Sequence, residues 1–219
     1  MSDKTKLKIL PLGGIDEIGK NITVFEYGDD IIVMDCGSIF PKEDMLGIDL
    51  VIPDISYLIA NREKIRAFVF THGHEDHIGA TPYVLDKIQV PIYGSGLTLA
   101  LIENKLREHH ITNIQAFPVK PRETVQLGCF SVQFIRVNHS IAGAYALAIT
   151  CPAGTVVATG DFKIDFTPVT GEVTDLSTLA AIGERGALAL LCDSTNVERP
   201  GYTMSERKVA ETFNQQILS

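Results

Sequence analysis

The 219-residue chain is 45% hydrophobic and 21% charged, with 18 Gly and 10 Pro, a composition that excludes a disordered, fibrous or collagen-like protein. Its formal net charge of −8 opposes sequence-independent binding to a polyanion, so a nucleic-acid substrate would need a local basic track. MSDKTKLK lacks the apolar stretch of a signal peptide, and no apolar run approaches the ~20 residues of a membrane helix, so a cytoplasmic protein without a membrane partner is expected.

LKILPL opens the chain as a strand. It runs into GGIDEIGKN, residues 13–21, which nearly matches the phosphate-cradling form G-x-x-x-x-G-K-[ST]. Asn21 stands where that loop needs a hydroxyl. The following NITVFEY alternates branched or aromatic residues with polar ones and predicts a strand, whereas phosphate binding requires the N-terminus of a helix. No nucleotide triphosphate is expected there. NITVFEYG and DIIVMDCG flank a Gly-Asp-Asp turn at residues 28–30 and read as a hairpin.

A helix is expected over SYLIANREKI, residues 56–65. Four apolar strands then end in an imidazole or a carboxylate: RAFVF leads into THGHEDH, FSVQFIRV into NHS, GTVVAT into GDFKID, and ALALLC into DSTN. Side chains at strand C-terminal ends converge on one rim of a layered α/β domain. HIGATPYVLDKI (77–88) and LTLALIENKLREHH (97–110) read as helices between these strands, which predicts strands sandwiched by helices. Near the end, Thr203 to Glu206 reads as a T-x-x-E capping box opening a helix with Val209, Phe213 and Ile217 on its apolar face. The cysteines Cys36, Cys129, Cys151 and Cys192 lie singly, without a C-x-x-C pair, and are expected as small buried side chains.

The chemistry concentrates in THGHEDHIGA. In an extended loop His72 and His74 point the same way and can reach one ion. As the chain bends into a helix, Asp76 and His77 are thrown to a neighbouring position, which makes a two-metal arrangement. Imidazole and carboxylate are donors that zinc accepts at about 2.0–2.2 Å. His109 and His110 close a predicted helix, where a polar or cationic side chain suits the dipole, and are expected to ligate nothing.

With Asp35 in VMDCG, His139 in VNHS, Asp161 in TGDF and Asp193 in CDSTN, the motif resembles the metallo-β-lactamase superfamily. More narrowly, LGGIDEIGKN, MLGIDLVIPD, THGHEDHIGA, GDFKIDFTPV and DSTNVERPGYTMSER resemble, in that order, the N-terminal part of bacterial ribonuclease J in the β-CASP group of nucleases. The resemblance implies an α/β fold, an αββα sandwich incomplete relative to the family's full-length chain. Residues 1–200 would be the N-terminal portion of the metallo-β-lactamase domain, and 201–219 the truncated start of a β-CASP domain.

It implies further that His72, His74 and His139 hold one zinc and Asp76 and His77 a second, with Asp161 bridging. Asp35 would accept hydrogen bonds that orient the His-rich loop. Asp76 and Asp193 would be the catalytic acids, Asp193 near the metals to assist proton transfer or orient a ligand. The second zinc would lack a ligand that the family draws from beyond these residues. The expected activity is hydrolysis of RNA phosphodiester bonds in RNA processing and decay, by an endonucleolytic or 5′-exonucleolytic route, weak or absent in this chain alone. The resemblance leaves a homo-oligomer or other RNA-decay proteins as partners. Alternatives are a hydrolase of a small thioester or lactam, or a non-catalytic metal-binding scaffold. One departure falls after His139, where Ala142 and Gly143 replace the family's usual Pro-Asp.

Overall fold

Alternation along the strands decides the layering. A computed structural model describes residues 5–169 and 172–218. The first sheet runs β1 (Lys8–Gly13), β2 (Ile22–Tyr27), β3 (Asp30–Met34), β4 (Ile65–Val69), β5 (Ile92–Gly94) and β6 (Ala116–Pro118), neighbours in space in the order of the chain. The second runs β7 (Thr124–Leu127), β8 (Phe130–Arg136), β9 (Tyr145–Cys151), β10 (Gly154–Ala158) and β11 (Ala189–Leu191), likewise in chain order. Pairing is antiparallel from β1 to β3 and parallel from β3 to β6. In the second sheet it is antiparallel from β7 to β10, and β11 joins β10 in parallel.

Val24, Ile31 and Val33 face one way, where they pack with Leu58 of α1 (Ser56–Ala60), Leu85 of α3 (Thr81–Leu85) and Ile102 of α4 (Gly96–Glu108). Their neighbours Phe25 and Ile32 face the other way and meet Phe134, Leu147 and Val156 of the second sheet. The far face of that sheet, with Ile135, Ala148 and Val157, packs on Ile182 of α5 (Leu176–Arg185). The order is therefore helices, sheet, sheet, helix: the αββα sandwich. Phe25, Phe68, Phe130 and Phe134 are fully buried, each worth about 1.5–3 kcal/mol of transfer from water.

Caps fix the longer helices. Ser95 Oγ accepts from Thr98 N at 3.3 Å to start α4, whose Leu99, Ile102 and Leu106 make a buried stripe. Asp175 starts α5, accepting from Thr178 N at 3.2 Å while Arg122 grips both its oxygens at 2.7 and 3.0 Å.

Four expectations need correction. The helix over 56–65 stops at Ala60; a 3-10 turn at Arg62–Lys64 follows, and Ile65 is already in β4, paired with Ile31. The helix over 77–88 is two short ones, α2 (Glu75–Ile78) and α3, separated at Gly79 and Ala80. The last helix, α6 (Glu206–Leu218), starts after Ser205, whose Oγ accepts from Arg207 N at 3.3 Å, so Thr203 is not its cap. Cys36 and Cys151 are buried as expected, but Cys129 is half-buried and Cys192 exposed. Among the described residues no helix is long and apolar enough to cross a membrane.

Candidate metal centre

β3 and β4 are parallel neighbours, so the residues that follow them emerge side by side. Asp35, 1% exposed, accepts at 2.8 Å from the backbone N–H of Thr71 through Oδ1 and from the Thr71 hydroxyl through Oδ2. The same Oδ2 lies 2.8 Å from His77 Nδ1. Asp35 thus fixes His77 in one orientation and turns its Nε2 toward Asp161 Oδ1, 3.3 Å away, and Asp76 Oδ2, 3.6 Å away. Thr71 commits its only hydroxyl proton to Asp35. Toward His72 Nδ1, at 3.1 Å, it can only accept, which puts the ring proton on Nδ1 and leaves a lone pair on Nε2.

Two loops of the second sheet close the rim. His139 follows β8 on a turn locked by Asn138, whose Oδ1 accepts from Thr174 N at 2.7 Å and whose Nδ2 donates to Glu172 O at 2.6 Å. Asn138 O also accepts from Lys163 N at 2.8 Å, which straps the His139 loop to the loop of Asp161. Tyr145 N donates to Thr71 O at 2.8 Å and ties both to the first sheet.

Two donor groups result, one of His72, His74, His139 and Asp161, the other of Asp76, His77 and Asp161, each with its ligand atoms within 4.8 Å of one another. In the first, His74 Nδ1 lies 3.1 Å from both His72 Nε2 and His139 Nε2. Asp161 Oδ2 lies 3.9 Å from His72 Nε2 and 3.6 Å from His139 Nε2. Tetrahedral zinc with legs of about 2.0–2.1 Å separates its ligand atoms by about 3.3 Å, so the donor set fits such an ion. Asp161 gives Oδ2 to the first group and Oδ1 to the second.

The charges agree with that fit. Burial, reinforced by the neighbouring His77 charge, pushes the pKa of His72 down and keeps its ring neutral. Burial likewise lowers His139. Burial also disfavours a charge on His77, but the carboxylates of Asp35 and Asp161 outweigh it and push the value up to about 10. Asp161 goes down although burial opposes it, because His77 and His72 attract the anion. A cation would take over the role of the His77 proton, satisfying the carboxylates around it.

Asp193 stands apart from both groups. It is half-buried after β11, near enough for its charge to act on His139, but its Oδ1 accepts from Thr195 N at 2.8 Å. Lys163 pairs with Glu206, and Asp165 accepts from Glu206 N and Thr167 N, both at 2.9 Å, so these residues tether α6. His109 caps α4 and lies edge-on to Tyr83, with ring centroids 5.2 Å apart. The sequence reading missed two supports: Thr71, and Asn21 at the end of GGIDEIGKN, whose Nδ2 is 3.1 Å from His77 Nε2.

The αββα sandwich thus gathers imidazoles and carboxylates that could hold metal ions on the rim where its sheets meet. The sequence matches the metallo-beta-lactamase superfamily over residues 15–191, and the chain belongs to that superfamily. It is similar to ribonuclease J of Synechocystis sp., 55% identical over 95% of this chain and 33% of the relative. Ribonuclease J of Thermus thermophilus is 48% identical, covering 96% of this chain and 38% of the relative. The chain thus spans about a third of the length of these relatives. In fold it is similar to a crystal structure of a protein from Enterococcus faecalis V583, with a TM-score of 0.69 and 21% identity over 97% of this chain and 57% of the other. Zn2+-bound PqqB from Methylobacterium extorquens superposes with a TM-score of 0.56 and 13% identity, covering 84% of this chain and 65% of the other.

Proposed function

We propose that this chain is the metal-binding portion of a ribonuclease J-type enzyme, a zinc-dependent hydrolase of RNA phosphodiester bonds acting in cytoplasmic RNA processing and decay. The observation that carries the reading is the carboxylate of Asp161, with one oxygen toward each of two donor groups. The ribonuclease J relatives supply the substrate class. His72, His74, His139 and Asp161 would hold one ion; Asp76, His77 and Asp161 would hold the other. When bound, two such cations lower the pKa of shared water and neutralise charge on phosphoryl oxygens.

The chain's own residues supply the framework. Asp35 and Thr71 preset the ring orientations of His77 and His72, so no reorganisation is needed when a ligand arrives. Among the described residues the second group offers three donors, Asp76, His77 and Asp161, so a cation held there would draw a further ligand from water, substrate or residues beyond this chain. Asp193, whose charge reaches His139, would receive a proton or orient the ligand. Residues 201–219 would begin the β-CASP portion, joined to the rim through Asp165 and Lys163.

The test is cleavage of 5′-labelled RNA by this chain joined to the remaining part of a ribonuclease J relative. Cleavage that is lost with chelator, restored by zinc and abolished by Asp161→Ala is expected. No RNA cleavage by the joined, metal-loaded protein, or turnover of a lactam or thioester instead, would refute the reading.

A further inference from the structure

We propose that Asn21 is a positioning residue for the second donor group: its amide NH2 fixes the carboxylate of Asp76 beside His77 and so sets the affinity of that group alone for a divalent cation. The inference rests on the metal-centre reading above.

Asn21 lies 56 residues from His77 in the chain, yet both its backbone and its side chain are strapped to the neighbouring Asp76. Its backbone N–H donates to Asp76 O at 3.0 Å, and its side-chain Nδ2 donates to the same carbonyl at 3.0 Å. The second amide proton points to Asp76 Oδ2 at 3.4 Å; Nδ2 also lies 3.1 Å from His77 Nε2, a contact that carries no hydrogen bond while that ring is protonated. Its own carbonyl accepts from Gly37 N at 2.9 Å.

The surrounding chain is shaped for this approach. A Cβ at Gly37 would fall 1.6 Å from Asp76 O and 2.7 Å from Asn21 N, so a side chain there would drive the segments apart. Gly14, at φ +85°, leaves room for the amide oxygen; a Cβ there would lie 2.4 Å from Asn21 Oδ1. The loop GGIDEIGKN, which resembles a phosphate cradle in sequence, thus presents an amide to a carboxylate.

The amide suits the task chemically. Among the described residues, the Asp76 carboxylate receives a hydrogen bond from Asn21 alone; its other charged neighbour is His77 Nε2, 3.6 Å away, and at 33% exposed it turns to solvent more easily once the bond from Asn21 is lost. Ordering it would then be charged to cation binding. A lysine or arginine could hold it too, but would repel the cation. A neutral NH2 donates without adding charge. The first group has other supports, in Thr71 behind His72 and Asn138 beside His139, so it should not depend on Asn21.

Zinc titrations against a competing chromophoric chelator test the proposal on wild type, Asn21→Ala, Asp76→Ala and the double variant. Asn21→Ala should weaken the second zinc step by about 10–100-fold, the usual cost of losing an outer hydrogen-bond partner, and leave the first step unchanged. In the Asp76→Ala background the same change should have a much smaller effect, because only the contacts to the residue-76 carbonyl and to His77 remain for Asn21 to lose. Metal-free melting temperatures report whether each variant folds, and Asn21→Leu, similar in shape without the donor, replaces Asn21→Ala if the smaller residue unfolds the loop. Equal weakening of both steps, an unchanged second step, or additive effects in the double variant would overturn the assignment. A wild-type chain that binds no zinc would instead refute the metal-centre reading itself.

Discussion

Replacing Asp161 by alanine removes the carboxylate whose Oδ1 lies 3.3 Å from His77 Nε2 and whose Oδ2 lies 3.6 Å from His139 Nε2. The first donor group loses one of His72, His74, His139 and Asp161; the second keeps only Asp76 and His77. Loss of an outer hydrogen-bond partner alone costs about 10–100-fold in metal affinity, so loss of a donor is expected to cost about a hundredfold or more at each group. With free zinc at about a hundred times the dissociation constant, a site stabilises the fold by about 2.7 kcal/mol; a hundredfold weaker site contributes only about 0.4. For a chain of this size 1 kcal/mol moves Tm by about 2–4 °C, so zinc at the tighter group should raise the wild-type Tm by roughly 5–11 °C and that of Asp161→Ala by about 1–2 °C. The assay is thermal unfolding across a zinc titration, with elemental analysis of the purified proteins. Asp161→Ala should lose more than one equivalent of zinc, and His72→Ala chiefly the zinc of the first group. Equal losses from the two variants would refute the sharing of Asp161.

Zinc titration of the wild-type chain should show two well-separated affinities, since the first group offers three imidazoles and a carboxylate and the second one donor fewer; two equally tight zincs would count against this, as would brisk RNA cleavage by the chain alone. Asp35→Asn keeps the shape but removes the charge that holds His77, and should cost the metal-free protein about 1.5–3 kcal/mol in urea unfolding. The grip of Arg122, with further bonds from Ser177 and Thr178, outweighs burial and holds Asp175 well below the usual carboxylate range. That stabilisation is present above the ordinary carboxylate pKa and is lost as pH falls through the depressed one. Asp175→Asn should therefore cost about 1–2 kcal/mol at pH 7, by the charge-assisted bonds it loses, and the gap to wild type should begin to narrow below about pH 4 and close only as pH falls through the depressed pKa; a gap that stays constant as the pH falls would show that the anion is not its source.

The ligand cluster was legible because metal chemistry admits few residue types. Imidazoles and carboxylates at the ends of β4, β8 and β10 stand out against apolar strands; the H-x-H-x-D-H spacing groups His72, His74, Asp76 and His77, while His139 and Asp161 join them as ligands only through the family resemblance. Of their supports, Asp35 was named through that resemblance, whereas Thr71 and Asn21 were not legible. Asn21 acquires its role only when the turn after β1 folds against Asp76, a contact that no local pattern encodes. Two short strands were also missed, because β5 and β6 have three residues each, too few to show a period. The helical pattern over 77–88 broke where Gly79 lies against Ser38, a tertiary contact that overrides periodicity. The start of α6 was misplaced by two residues for a similar reason: Asp165, distant in sequence, supplies a cap at Glu206 that competes with the local box.

Because each sheet is threaded in chain order, no strand crosses from one to the other. The only covalent link between them is the segment of residues 119–123, between β6 and β7. A cut there would yield two pieces, each with a complete sheet and an apolar face made for the other. His72, His74, Asp76 and His77 would stay on one piece, and His139 and Asp161 on the other. Neither piece would hold a complete donor group. The chain is thus divisible in its topology but indivisible in its chemistry.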